Sequence, residues 1–245
     1  MDVEMKYTAE YAQQVPKSPV LYEHNAHPLS SKQERKLMDY LDDKFLDLTR
    51  NYKKRSDPSS SLQTLSEYLT AAATLLSLIM QIPPIDPSSP LRTTLLLRLS
   101  GEAMESITGY HPDTQVLPQL LDWLNDLDQA WLTVLRSQVW NVETKSGEDL
   151  VLDLDPETQS PPPRYTSSPM TQTERARLRS LLISGTAKME EWLTALDTEE
   201  ESYEEALERL GLQQGFDELF TETLAEMGSL HGGEMNSPVG MEGTC

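Results

Sequence analysis

The sequence predicts an all-α protein: an irregular helical bundle with a Pro-rich internal linker and flexible termini. Leucines recur at spacings of three and four through several long segments. Serine and threonine cap signals stand before those segments, and proline clusters separate them. No run alternates apolar and polar residues for long enough to suggest a core sheet.

Residues 1–29 contain Pro16, Pro19 and Pro28 and lack an apolar repeat, so they read as a flexible N-terminal arm. The principal helical domain, 30–141, opens with a capping box of Ser31 and Glu34. Leu37, Leu41, Phe45, Leu48 and Tyr52 then form one stripe that stops before Pro58. A second helix starts near Ser61 and carries Leu62, Leu65, Leu69, Ala72, Leu76 and Ile79. Its later half is apolar around much of its circumference and belongs at the centre of a bundle.

Prolines 83, 84, 87 and 90 break the pattern. Ser89 is the cap expected for a third helix, with Pro90 in its first turn and Gly109 at its end. Residues 113–141 read as a fourth helix carrying Leu117, Leu120, Leu124, Leu127, Trp131 and Leu135.

Periodicity then fails across the Pro-rich linker, 142–170. Within it Leu150, Leu152 and Leu154 alternate in EDLVLDLDP, the pattern of a short edge strand or of a linear segment offered to a partner. Helical spacing returns at a Thr171–Glu174 capping box. The C-terminal helices, 171–229, comprise one helix to about Leu196, a shorter one over about 200–210 and a last one through Leu212, Phe216, Phe220 and Met227. They pack on the principal domain or form a small module. Residues 230–245 are Gly-rich and read as a flexible tail.

Charge narrows the function. The chain has 20 basic and 40 acidic side chains, a formal net charge of −20. Residues 1–141 carry 13 basic and 18 acidic groups, and residues 142–245 carry 7 and 22. Such a surface argues against autonomous nucleic-acid binding, which needs a broad basic face. Arg50, Lys53, Lys54 and Arg55 could make one local phosphate contact, but positive charge complementing a helix C-terminus is the favoured explanation. The single cysteine, Cys245, excludes an intrachain disulfide and suits an intracellular setting, with the nucleus favoured over the cytoplasm on composition. No apolar run is long enough to span a membrane.

No catalytic, cofactor-binding or metal-ligating set emerges. The four histidines are dispersed. His24 and His27 are the closest pair, and Asp122, Asp126 and Asp128 lack a complementary ligand motif. The reading is therefore a non-catalytic helical adaptor or structural subunit that binds one or more intracellular proteins, with a basic surface on the partner as the expected complement to the acid excess. An acidic chromatin-associated factor or histone chaperone and an enzyme with an unrecognised site are the alternatives.

Trp123, Trp131 and Trp140 are expected first as core residues, with one or two of them as interface anchors the alternative; the other candidate interface residues are the Leu150, Leu152, Leu154 segment and the acidic run Glu199, Glu200, Glu201, Glu204 and Glu205. Ser18, Ser160, Ser168 and Ser237 each precede a proline in segments expected to be accessible, as sites of proline-directed phosphorylation require.

Overall fold

The computed structural model describes residues 27–150, 167–196 and 202–229. These form a mostly helical bundle in the order α1 (Ser31–Lys53), α2 (Leu65–Met80), α3 (Ser89–Ile107), α4 (Leu117–Leu135), β1 (Val139–Asn141), β2 (Ser146–Glu148), α5 (Gln172–Leu193), α6 (Tyr203–Arg209), α7 (Gln213–Asp217) and α8 (Thr221–Ser229). Leu152, Leu154, Glu199, Glu200 and Glu201 lie outside the described residues, as do most of the N-terminal arm and the whole C-terminal tail.

Helix α2 is the centre of the bundle and packs against α1, α3 and α4. Its apolar circumference explains that position: Leu65, Tyr68, Leu69, Ala72, Leu75, Leu76, Ile79 and Met80 are all buried. Each large apolar side chain so covered contributes about 1.5–3 kcal/mol relative to exposure. Helix α5 packs on α3, and α8 packs on α4, so the C-terminal helices share the core of the first four. Gly185 allows the first of these contacts, because a Cβ there would sit 3.0 Å from Met104 Cγ and Sδ.

The caps match the sequence at α5, where Thr171 and Glu174 bond reciprocally. At α1 the box is one residue earlier, with Ser30 as N-cap and Gln33 as its partner, in place of Ser31 and Glu34. Both spacings satisfy the motif, but Glu34 is engaged elsewhere. Its Oε1 accepts from Ser88 Oγ at 3.1 Å, and Ser88 Oγ also accepts from the Leu29 N–H at 2.9 Å. Ser88, and not Ser89, is the N-cap position of α3. It makes no side-chain cap bond because its hydroxyl ties α1 to this loop.

Helix α4 ends six residues before the predicted limit, at Leu135. Ser137 adopts φ 55°, its N–H bonds to Val134 O, and the Gln138 N–H reaches Thr133 O. These are the two bonds of a Schellman stop made by a serine, so no glycine marks the position in the sequence. The chain then turns into an antiparallel hairpin pairing Val139 with Glu148, Trp140 with Gly147 and Asn141 with Ser146. Regular strand structure thus stands at 139–148, ahead of the alternating leucines, and Leu150 follows it half-buried. A second Schellman stop at Gly211, φ 70°, ends α6 as its glycine suggests. The last predicted helix is split into α7 and α8 at Phe220, which has φ 58° and is buried in the core.

Candidate functional site

The three candidate tryptophans are core residues. Trp131 is fully buried, and Trp123 and Trp140 are 3% and 7% exposed. Trp131 Nε1 donates to Ser100 Oγ at 3.0 Å. Trp123 Nε1 is buried without a hydrogen-bond partner. None of the three presents its ring to solvent as an interface anchor must: α4 is covered by α2 and α8, and Trp131 is bonded to α3.

The four-residue basic cluster divides by environment. Arg50, Lys53 and Lys54 are exposed at the end of α1, where Arg50 and Lys53 complement the helix dipole. Arg55 has a structural post instead. Its Nε donates to Gly109 O at 3.0 Å and its Nη1 to Tyr52 O at 3.3 Å, while the guanidinium lies 4.5 Å from the Tyr52 ring centroid. Tyr52, Tyr68 and Tyr110 form a triangle beneath it, with centroids 5.7–5.9 Å apart. Burial pushes the Tyr68 phenol well above its ordinary value and that of Tyr110 up to about 12, so both are neutral donors. Tyr110 Oη donates to Leu62 O and Tyr68 Oη to Glu102 O. Gly109 is required here, since a Cβ would fall on Tyr52 Oη.

Of the acidic run, Glu204 and Glu205 are described, and both are exposed at the start of α6. Glu205 caps the helix, its Oε2 accepting from the Ser202 N–H at 2.9 Å. Glu204 is held below the usual carboxylate range, chiefly by a bond from its own backbone N–H. Both effects belong to a helix N-terminus, which favours negative charge.

Two of the three acidic residues of α4 are also occupied, while Asp122 is exposed. Asp126 pairs with Lys145 of the hairpin turn at 2.6 Å, and Asp128 accepts from Thr223 of α8 at 2.5 Å. Among the described residues, no three His, Cys, Asp or Glu side chains gather as a metal-binding group. No helix among them is long and apolar enough to cross a membrane.

Two further features lie outside the residues that the sequence pattern marks. The first is Arg92, 1% exposed in the first turns of α3. Its Nη1 donates to Gln138 O at 2.9 Å and its Nε has no partner, and burial lowers its pKa to about 10. An arginine inside a leucine stripe carries no local mark of burial.

The second feature is a cleft of about 300 Å³ between α1 and α2, with Tyr40, Lys44 and Asp47 on one wall and Ala71, Thr74 and Leu78 on the other. Tyr40 is 47% exposed, with Lys44 Nζ 5.4 Å from its ring centroid. Spacing offered a faint signal, since Tyr40 and Lys44 are four residues apart on one side of the Leu37–Tyr52 stripe. A larger cleft of about 490 Å³ is lined by Leu65, Tyr110 and Val116 together with polar residues that include Gln63, Ser66, His111, Asp113 and Gln119.

Comparisons of the chain with protein-family models, with curated proteins and with solved structures found no match.

Proposed function

We propose that this chain is a non-catalytic helical adaptor or structural subunit that holds another protein in an intracellular complex, in the nucleus in preference to the cytoplasm. The observation that carries the reading is the α1–α2 cleft, where an exposed aromatic stands beside half-buried Ala71 and Leu78 with Lys44 and Asp47 at the same wall. A furrow between two helices with apolar walls and mixed charge at its edge suits an amphipathic helix laid along it. The experiment is native pull-down of the full chain with cross-linking, repeated with Tyr40→Ala and Thr74→Arg. A dominant partner cross-linked to α1 and α2, lost in the variants at unchanged melting temperature, is the expected result. Turnover by the purified chain with no partner retained would overturn it.

A second reading, an acidic chromatin-associated factor or histone chaperone, is favoured by the exposed carboxylates of Glu204 and Glu208 on α6 and by the net charge of −20. Binding of a basic histone-tail peptide should then weaken steeply with salt and fall on Glu204→Lys with Glu208→Lys. Affinity indifferent to both changes would remove this reading.

A further inference from the structure

The strap that enters α5 is fastened to the α2–α3 loop through one exposed serine. Ser168 donates its backbone N–H to Asp86 Oδ1 at 3.1 Å and its hydroxyl to Asp86 Oδ2 at 2.7 Å. Next to it Ser167 Oγ lies 3.4 Å from Ser89 Oγ, and two residues on Met170 is buried in the core. Residues 167–170 have no regular structure, and both Ser168 and Pro169 are exposed. The same Ser-Pro pair at Ser89–Pro90 is built into α3 with Ser89 only 6% exposed. A proline-directed kinase must take its serine in an extended, accessible segment, and of these two only Ser168 is so placed.

We propose that Ser168 is a phosphoryl acceptor and that its modification unfastens the strap from Asp86. In the transfer Ser168 Oγ bonds to the γ-phosphorus of ATP and the bond from that phosphorus to the β-phosphate oxygen breaks. ADP leaves with the electron pair, and the hydroxyl proton passes to the base of the kinase. The product has no Oγ–H to donate and carries roughly −1.5 to −2 charge at neutral pH, set against the Asp86 carboxylate that Oγ had been bonded to. The charge-assisted bond is lost and like-charge repulsion takes its place.

The test uses the full chain with Ser18, Ser160 and Ser237 replaced by alanine, incubated with a proline-directed serine/threonine kinase and Mg-ATP. Tandem mass spectrometry should place phosphate on Ser168 and none on Ser89. Hydrogen exchange should then quicken on the order of tenfold over 167–171 and the first turn of α5. With Asp86→Asn, which removes the charge and leaves an amide oxygen in place, phosphorylation should quicken exchange much less. Absence of phosphate at Ser168, unchanged exchange in the phosphorylated chain, or an equal effect in Asp86→Asn would each overturn the proposal.

Discussion

Trp131 and Ser100 face each other across the α3–α4 contact, both fully buried, with the indole N–H donating to the serine oxygen at 3.0 Å while that hydroxyl donates to Leu96 O at 2.8 Å. The chain of bonds satisfies a buried indole donor with a hydroxyl supplied by α3. Ser100→Ala leaves the indole unpaired and should cost about 1–3 kcal/mol. Adding Trp131→Phe removes the orphaned donor, so the double variant should lose less than the sum of the two single losses. Urea unfolding of the four proteins measures the coupling, and strict additivity would refute it.

Gly185 sets how closely α5 approaches α3. A Cβ there meets the Met104 side chain at 3.0 Å, a contact that a flexible methionine could relieve only by shifting within a filled core. Gly185→Val should therefore destabilise by about 1–3 kcal/mol through overpacking. Met104→Ala in the same chain should recover part of that loss. If thermal unfolding shows no recovery, the collision is not what limits the position.

The Asp128–Thr223 bond ties α4 to α8 and carries a pH signature. Burial, aided by nearby Glu222, raises the Asp128 carboxyl above its ordinary value of 3.8 against the lowering effect of Thr223. Between the ordinary and the raised value the folded chain holds a proton that the unfolded chain has released. Stability from this group is thus greatest below the ordinary value and falls as pH rises through the raised one. Asp128→Asn keeps an oxygen for Thr223 Oγ1 and cannot ionise. Its stability relative to the parent should rise with pH from about 4 upward, as urea titrations at successive pH values would show. A difference that stays flat would sink the argument.

Arg92 is a buried guanidinium bonded to one carbonyl and otherwise surrounded by the packing of α3. Desolvation opposes its charge, so replacing it with a chain of similar reach should be tolerated. Arg92→Met is expected to match or exceed the parent in stability, while Arg92→Ala, which opens a cavity, should lose about 2–5 kcal/mol. Calorimetry on both separates volume from charge. A large loss in Arg92→Met would show that the bond to Gln138 outweighs the desolvation.

Much of the helical framework was legible. The Thr171–Glu174 box, the proline break before α3, the stripe Leu41–Phe45–Leu48 and the nearly all-apolar α2 each depend on residues within a turn or two of one another. The Schellman stop at Ser137 was not legible, because serine is an uncommon choice for φ > 0 and the hairpin after it has only three-residue strands. The α1–α2 cleft is marked in the sequence only by the Tyr40–Lys44 spacing, since it exists only where two helices come together.

Local pattern and composition specify a Leu-striped, proline-punctuated helical chain whose acid excess lies mostly after residue 141. Packing between distant segments places α5 on α3 and α8 on α4, sets Arg55 over a tyrosine triangle and holds Ser168 against Asp86. The division is physical. Helix periodicity and capping are written in neighbouring residues, whereas several leucine stripes of similar character can pair in many ways. The choice among them rests on contacts between residues far apart in the chain, such as Gly185 against Met104 and Trp131 against Ser100.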